Sequence, residues 1–166
     1  MKRFVLTMLS MFLSLPFLLI NGQGIRATGD KMPVVSQTAT TGTPTTYTGR
    51  QVMVGSGGGF TGFSTTYCLL DNGKLFGRRS RDTTFTFIGR QTTANTKRVF
   101  SIAEETCKIK TARFDNPGNT YTFIRWKKGR KENKVSWGAA GVTVPASYKK
   151  FYNSFMAMIP VVSRMK

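Results

Sequence analysis

The chain has 166 residues, with 25 Lys and Arg against 7 Asp and Glu, a formal net charge of +18 and no histidine. Without histidine there is no Ser-His or Cys-His nucleophile pair, no His-based zinc site and no imidazole general base. Two cysteines without a CxxC motif complete no metal-ligand set, so neither metal nor cofactor is expected.

Met1-Lys2-Arg3, the apolar run Phe4 to Ile20 and the small residues Gly22 and Gly24 follow the order of a secretory signal peptide, 1–24, and predict a secreted or periplasmic protein. The stretch 25–49 is rich in Thr, Gly and Pro, as in TATTGTPTTYTG, with little to form an apolar face. It reads as a flexible lead-in. Residues 50–166 hold the aromatic and aliphatic side chains of one domain.

That domain is expected to open with a short strand, Arg50 to Val54. Gly57-Gly58-Gly59-Phe60-Thr61-Gly62 then matches GxGxxG in form, with Asp82 20 residues further on. A dinucleotide fingerprint needs a helix after its glycines, whereas FSTTYCLL is β-branched and aromatic. Gly57, Gly58, Gly59 and Thr61 are therefore expected in a turn or bulge, and form a candidate loop site only if their amides hold an oxyanion.

Phe63 to Leu70 alternates as a strand, Asp71-Asn72-Gly73 predicts a hairpin turn, and Lys74-Leu75-Phe76 begins the returning strand. Asp82 to Gly89 alternates again, with Phe85 and Phe87 on one face. From Asn95 to Lys110 the period becomes helical, with Val99, Ile102, Thr106 and Ile109 beside Phe100, Ala103 and Cys107. Ser101 to Glu104 has the form of a capping box, which would start that helix late.

Asp115 to Asn119 reads as a turn, and TYTFIRW with KVSW as a hairpin around the basic tip Lys127 to Asn133. Tyr148, Phe151, Tyr152, Phe155, Met156 and Ile159 repeat at three and four between Pro145 and Pro160, the pattern of a C-terminal helix. The expected fold is α+β: an antiparallel sheet built from hairpins, two helices, and the C-terminal amphipathic helix packed on one face. Cys68 on a strand and Cys107 on a helix are a candidate disulfide tying the two layers.

Function is read from charge. Only Lys2, Arg3, Arg26 and Lys31 of the basic residues precede Arg50. Arg78, Arg79 and Arg81 cluster in GRRSR; Arg125, Lys127, Lys128, Arg130, Lys131 and Lys134 cluster in RWKKGRKENK. Such a field draws anionic partners, and with export it predicts a non-enzymatic protein binding an acidic partner protein or an anionic envelope polymer. Nucleic acid is the alternative polyanion, with Phe85, Phe87, Tyr121, Phe123 and Trp126 as base-stacking candidates. A basic, aromatic C-terminal helix also suits peripheral membrane contact unless it is docked.

An enzyme would have to work without histidine and with few carboxylates. Asp71 and Asp115 lie in turn sequences, Glu104 in a capping sequence and Glu132 in the basic tip. A glycosidase pair would need Asp82 with Glu104 or Glu105, and nothing in the sequence unites them.

Overall fold

The alternation that begins at Arg50 does not stop at the glycines. Strand β1 (Arg50–Gly58) is paired on both sides from Gln51 to Gly57, and this double ladder carries Gly55 and Gly57 in extended structure despite their weak strand preference. Residues 42–165 are described in this computed structural model, all within the compact unit Thr40–Lys166. The expected signal peptide and the lead-in up to residue 41 lie outside the described residues.

After β1 come β2 (Ser64–Leu70), β3 (Lys74–Arg79) and β4 (Thr86–Arg90). Helix α1 (Thr93–Ser101) then continues into a π-helical turn, Ile102–Thr106. The second half holds β5 (Asp115–Asn116), β6 (Thr120–Lys128), β7 (Lys131–Trp137), α2 (Ala146–Ala157) and a short 3₁₀ turn, Val161–Ser163. The fold is α+β. Its mixed, mostly antiparallel sheet has seven strands in the order β4-β3-β2-β1-β6-β7-β5, with β5 parallel to β7.

Several local expectations change in detail. The two-residue Asn-Gly turn, which would need positive φ at both residues, is replaced by one with a single positive φ: Gly73, at φ 87°, donates its amide to the Leu70 carbonyl at 2.9 Å. This is a three-residue loop closed by a glycine bulge. The β6–β7 tip is tighter than its sequence suggests, with Gly129 at φ 56° in a two-residue connection, so Lys127, Lys128 and Lys131 belong to strands. Asp115-Asn116 is β5 rather than the start of a turn, and the Ser136 hydroxyl donates to the Asp115 carboxylate.

Helix α1 is capped by Thr92, whose Oγ1 accepts from the Asn95 amide at 3.2 Å. Ser101 lies inside the helix and donates its hydroxyl to Glu105 Oε2 at 2.8 Å, so the capping box is not used. The π turn adds one residue to the winding, with the Cys107 amide donating to the Ile102 carbonyl at 2.9 Å. Ala103, Cys107 and Ile109 are thereby buried, and Thr106 is exposed.

Side-chain parity divides the sheet into two unlike faces. Val52 and Val54 of β1, Tyr67 and Leu69 of β2, and Ile124 and Trp126 of β6 form the main core with the helices. Phe100 of α1 and Phe151 and Phe155 of α2 complete it, each such side chain contributing roughly 1.5–3 kcal/mol by burial. The aromatic face of α2 is thus docked on the sheet rather than free for a membrane surface. Among the described residues no helix is long and apolar enough to cross a membrane.

On the other face lies a smaller cluster of Met53, Cys68, Leu70 and Phe76, with Tyr47 and Phe85 against it. Tyr47 falls in the stretch expected to be flexible. Its hydroxyl donates to the Asp71 carboxylate, Gln51 Nε2 donates to its carbonyl at 2.7 Å, and the Gly129 amide donates to the Thr48 carbonyl at 3.0 Å. Residues 42–49 are therefore docked, and burial together with Asp71 pushes the Tyr47 phenol up to about 12.

Glu104 joins the helix layer to the sheet. Its Oε1 accepts from Trp126 Nε1 at 2.9 Å and from Arg50 at 3.5 Å, and its Oε2 lies 2.6 Å from Lys110 Nζ. Burial opposes its charge, but bonds from Lys110 and Trp126 and the Lys110 and Arg50 charges outweigh it and hold the carboxyl below its ordinary 4.5. With a lowered folded pKa, its stabilisation is complete above the unfolded value and is lost as pH falls through the folded one. Glu104→Gln should lower unfolding free energy by about 1–3 kcal/mol at pH 7. Urea titrations at pH 7 and pH 3 check this, and the gap from the wild type should narrow at the lower pH.

Candidate functional site

The basic residues singled out in the sequence are distributed over three places. Arg78, Arg125, Lys127 and Lys134 share the sheet face away from the helices, around a groove of about 280 Å³. Lys128 and Lys131 pair across the β6–β7 tip, with Arg130 in its turn, at the opposite end of the sheet from the glycine-rich loop. Arg79 and Arg81 line a second cavity beside that loop. No single site unites all nine.

On the open face, register sets the charges side by side. Arg125 stands opposite Lys134 on the neighbouring strand, with Met53 on its other side, and Lys127 follows two residues along β6. No carboxylate lines the groove among the described residues; Glu132, at its margin, pairs with Arg125 at 3.5 Å. Arg125 Nε is enclosed and has no hydrogen-bond partner there. Like charges directly opposite do not stabilise a sheet.

The stacking set assembles only in part: Phe85, Tyr121 and Phe123 line the groove, the last two with ring centroids 6.3 Å apart, whereas Phe87 and Trp126 do not line it. Trp126 is in the core on the helix side, and Phe123 is only 7% exposed. Phe123 lies against Gly55, where an added methyl would come within 2.6 Å of its ring and collide with the Thr65 carbonyl. Phe85 carries the Arg78 guanidinium over its ring at 4.6 Å, and Phe87, though half exposed, packs edge-on against Phe76 at 5.5 Å. What remains on this face is charge with aromatic support.

The glycine-rich loop turns at residues 59–63. Gly58, Gly59 and Gly62 have φ of 90°, 75° and 63°. Their amides donate to the carbonyls of Phe63, Asn119 and Gly59 at 3.1, 2.7 and 3.1 Å. The Gly58 and Gly59 amides of the candidate oxyanion site are thus engaged with backbone carbonyls of the loop and of Asn119. A side chain at Gly58 would also strike the Asn119 carbonyl, so this glycine serves a close backbone approach.

Beside the loop, a cavity of about 600 Å³ opens on the helix side of the sheet, where the helices no longer cover it. Its floor is one row across five strands: Arg79, Thr65, Ser56, Thr122 and Trp137, from β3 to β7. Gly57, Gly58 and Thr61 of the candidate loop site are at its wall, and Gly59 is not. Neither a carboxylate nor a cysteine lines it.

The sequence reading missed the hydroxyls and Trp137. A signal was present: along β1 the inward positions pass from Val52 and Val54 to Ser56, along β2 from Leu69 and Tyr67 to Thr65, and along β6 from Ile124 to Thr122. Only the register shows that these polar ends coincide.

The cysteines are free and lie on opposite faces, so the expected disulfide is corrected. Cys68 Sγ is 3.6 Å from Gln51 Oε1 on the open side, and Cys107 Sγ is 3.6 Å from the Ser147 carbonyl on the helix side, with the sheet between them. Burial pushes the Cys68 thiol up, and pushes Cys107 up to about 11. Both are protonated at neutral pH and poor nucleophiles. Among the described residues no group of three or more acidic or cysteine side chains is placed to hold a metal.

No protein-family model matches the chain, and no curated protein matches it significantly. The site is thus read from its own residues. Alkylation of the unreduced protein should label neither thiol when folded and both after denaturation, counted by mass spectrometry; a pair that stays unlabelled until reductant is added would indicate the disulfide instead.

Proposed function

We propose that this is an exported, non-enzymatic binding protein that holds an acidic polysaccharide of the cell envelope on its open sheet face. The observation that carries the reading is the grouping of Arg78, Arg125, Lys127 and Lys134 around a groove without a lining carboxylate. Cross-strand neighbours on one face stand about 5 Å apart, and alternate residues along a strand about 7 Å. A flexible polymer with an acidic group on each unit can follow that lattice, whereas a folded acidic protein must match it with fixed side chains.

The aromatic groups favour a glycan over a nucleic acid. Phe123 is largely covered and Trp126 faces the core, which leaves Phe85 and Tyr121 as the partly exposed rings at the groove. An enzymatic reading has fewer oxyanion donors to draw on, because the Gly58 and Gly59 amides bond within the protein. Export rests on the signal sequence expected at 1–24.

The test is titration of the purified protein with polygalacturonate from low to moderate salt, beside single-stranded DNA and an acidic protein. The double variant Lys127→Glu with Lys134→Glu should bind about tenfold more weakly or worse at low salt, with its melting temperature kept as the folding control. Unchanged affinity would remove the open face from the function. Tighter binding of DNA, or of the acidic protein alone, would replace the glycan by that partner.

A further inference from the structure

The cavity beside the glycine-rich loop has a different character from the open face. Its floor row, Arg79-Thr65-Ser56-Thr122-Trp137, spans roughly 19 Å at a strand spacing of about 4.8 Å. Three hydroxyl residues occupy the middle, a guanidinium one end and an indole the other. None of the hydroxyls of Ser56, Thr65, Thr120 and Thr122 hydrogen-bonds to another described residue. Nothing in the fold's own bonding explains that concentration of hydroxyls in one concave place.

The indole end of the row is held by its side chain, and the Arg79 end by its backbone. Trp137 stacks on Tyr148 at 6.3 Å with a 24° interplanar angle, and Tyr152 meets it edge-on at 6.1 Å. The indole is therefore fixed from the core side while it lines the cavity. At the other end the Arg79 amide donates to Asp82 Oδ2 at 3.0 Å, and the Arg81 guanidinium lies over the Phe63 ring at 5.6 Å. Neither guanidinium has a carboxylate ion-pair partner among the described residues.

We propose that this cavity binds one or two sugar rings bearing an anionic group: a ring against Trp137, hydroxyls to Ser56, Thr65 and Thr122, and the acid to Arg79 and Arg81. An aromatic face suits the C–H side of a pyranose, short hydroxyl side chains suit its ring hydroxyls, and paired guanidiniums suit a carboxylate or a phosphate. The volume is in the range of small-ligand sites, which combine an apolar wall with a few converging polar groups. The inference deepens the reading above, because the bound rings would be the end of the same acidic glycan. Ser64 and Tyr121 line both the cavity and the open groove.

The cavity holds one of the protein's two tryptophans, and the other, Trp126, is buried in the core. Trp137 fluorescence therefore reports occupancy. The purified protein is titrated with a galacturonic acid disaccharide, its methyl ester, a phosphorylated disaccharide and inorganic phosphate. A saturable change is expected with the acidic disaccharides, at least tenfold weaker with the ester, and preference between uronate and phosphate assigns the acid. Trp137→Phe should abolish the signal, and Arg79→Ala should weaken binding about tenfold, followed by calorimetry. Thr122→Val keeps the shape of the floor, and should also weaken binding.

The Lys127→Glu, Lys134→Glu protein should still bind the disaccharide, and Arg79→Ala should still hold polygalacturonate, which separates failure of this site from failure of the open face. Equal binding of acid and ester, saturation by inorganic phosphate at the same affinity, no binding of either acidic disaccharide, or full affinity in both Arg79→Ala and Thr122→Val would overturn the proposal.

Discussion

Strand β1 is the constraint on which the molecule depends. It lies in the interior of the sheet and pairs with β2 and β6 over nearly all of its length, so its alternation is imposed on both neighbours. Val52 and Val54 look toward the helices, while Met53 and Gly55 look away. A slip of one residue in β1 would turn its valines to the open side and Met53 and Gly55 toward the core. In β6 the alternation that buries Ile124 and Trp126 beside those valines leaves Arg125 and Lys127 on the solvent side.

The helices cover only part of the inward face. Glu104 fastens the end of the first helix to Arg50 and Trp126, near the β6–β7 end. At the glycine-rich end the inward positions change from aliphatic to hydroxyl, and there the cavity opens. Core and cavity are consecutive stretches of one surface. The open face is its reverse, with a small apolar cluster under Tyr47 and Phe85 and the cations beyond it.

Much of the fold was legible in the sequence because it is local. Alternation from Phe63 to Leu70, the Asp71-Asn72-Gly73 turn and the three-four spacing of Tyr148, Phe151 and Phe155 each specify their own element. Less legible was whatever depends on pairing at a distance. Gly55 and Gly57 carry no strand preference and are strand only because two partners hold them, and Asp115-Asn116 resembles a turn until β7 lies beside it. The π turn had no residue signature, and it changed which residues of the helix are buried. For the site, composition showed that cations are abundant, but a run such as RWKKGRKENK alternates between faces. Arg125, Lys127 and Lys134 part company from Lys128 and Lys131 for that reason.

The proposal that the open face is the working surface is best examined by amide chemical-shift mapping, titrating the isotope-labelled protein with a polyuronate of defined length. Shifts should concentrate at Thr66, Phe123, Arg125, Lys127 and Lys134, with a smaller set at Ser56, Thr122 and Trp137 where a chain end enters the cavity, and α1 unperturbed. Changes gathered on the helix layer, or confined to the Lys128–Lys131 tip, would contradict the assignment.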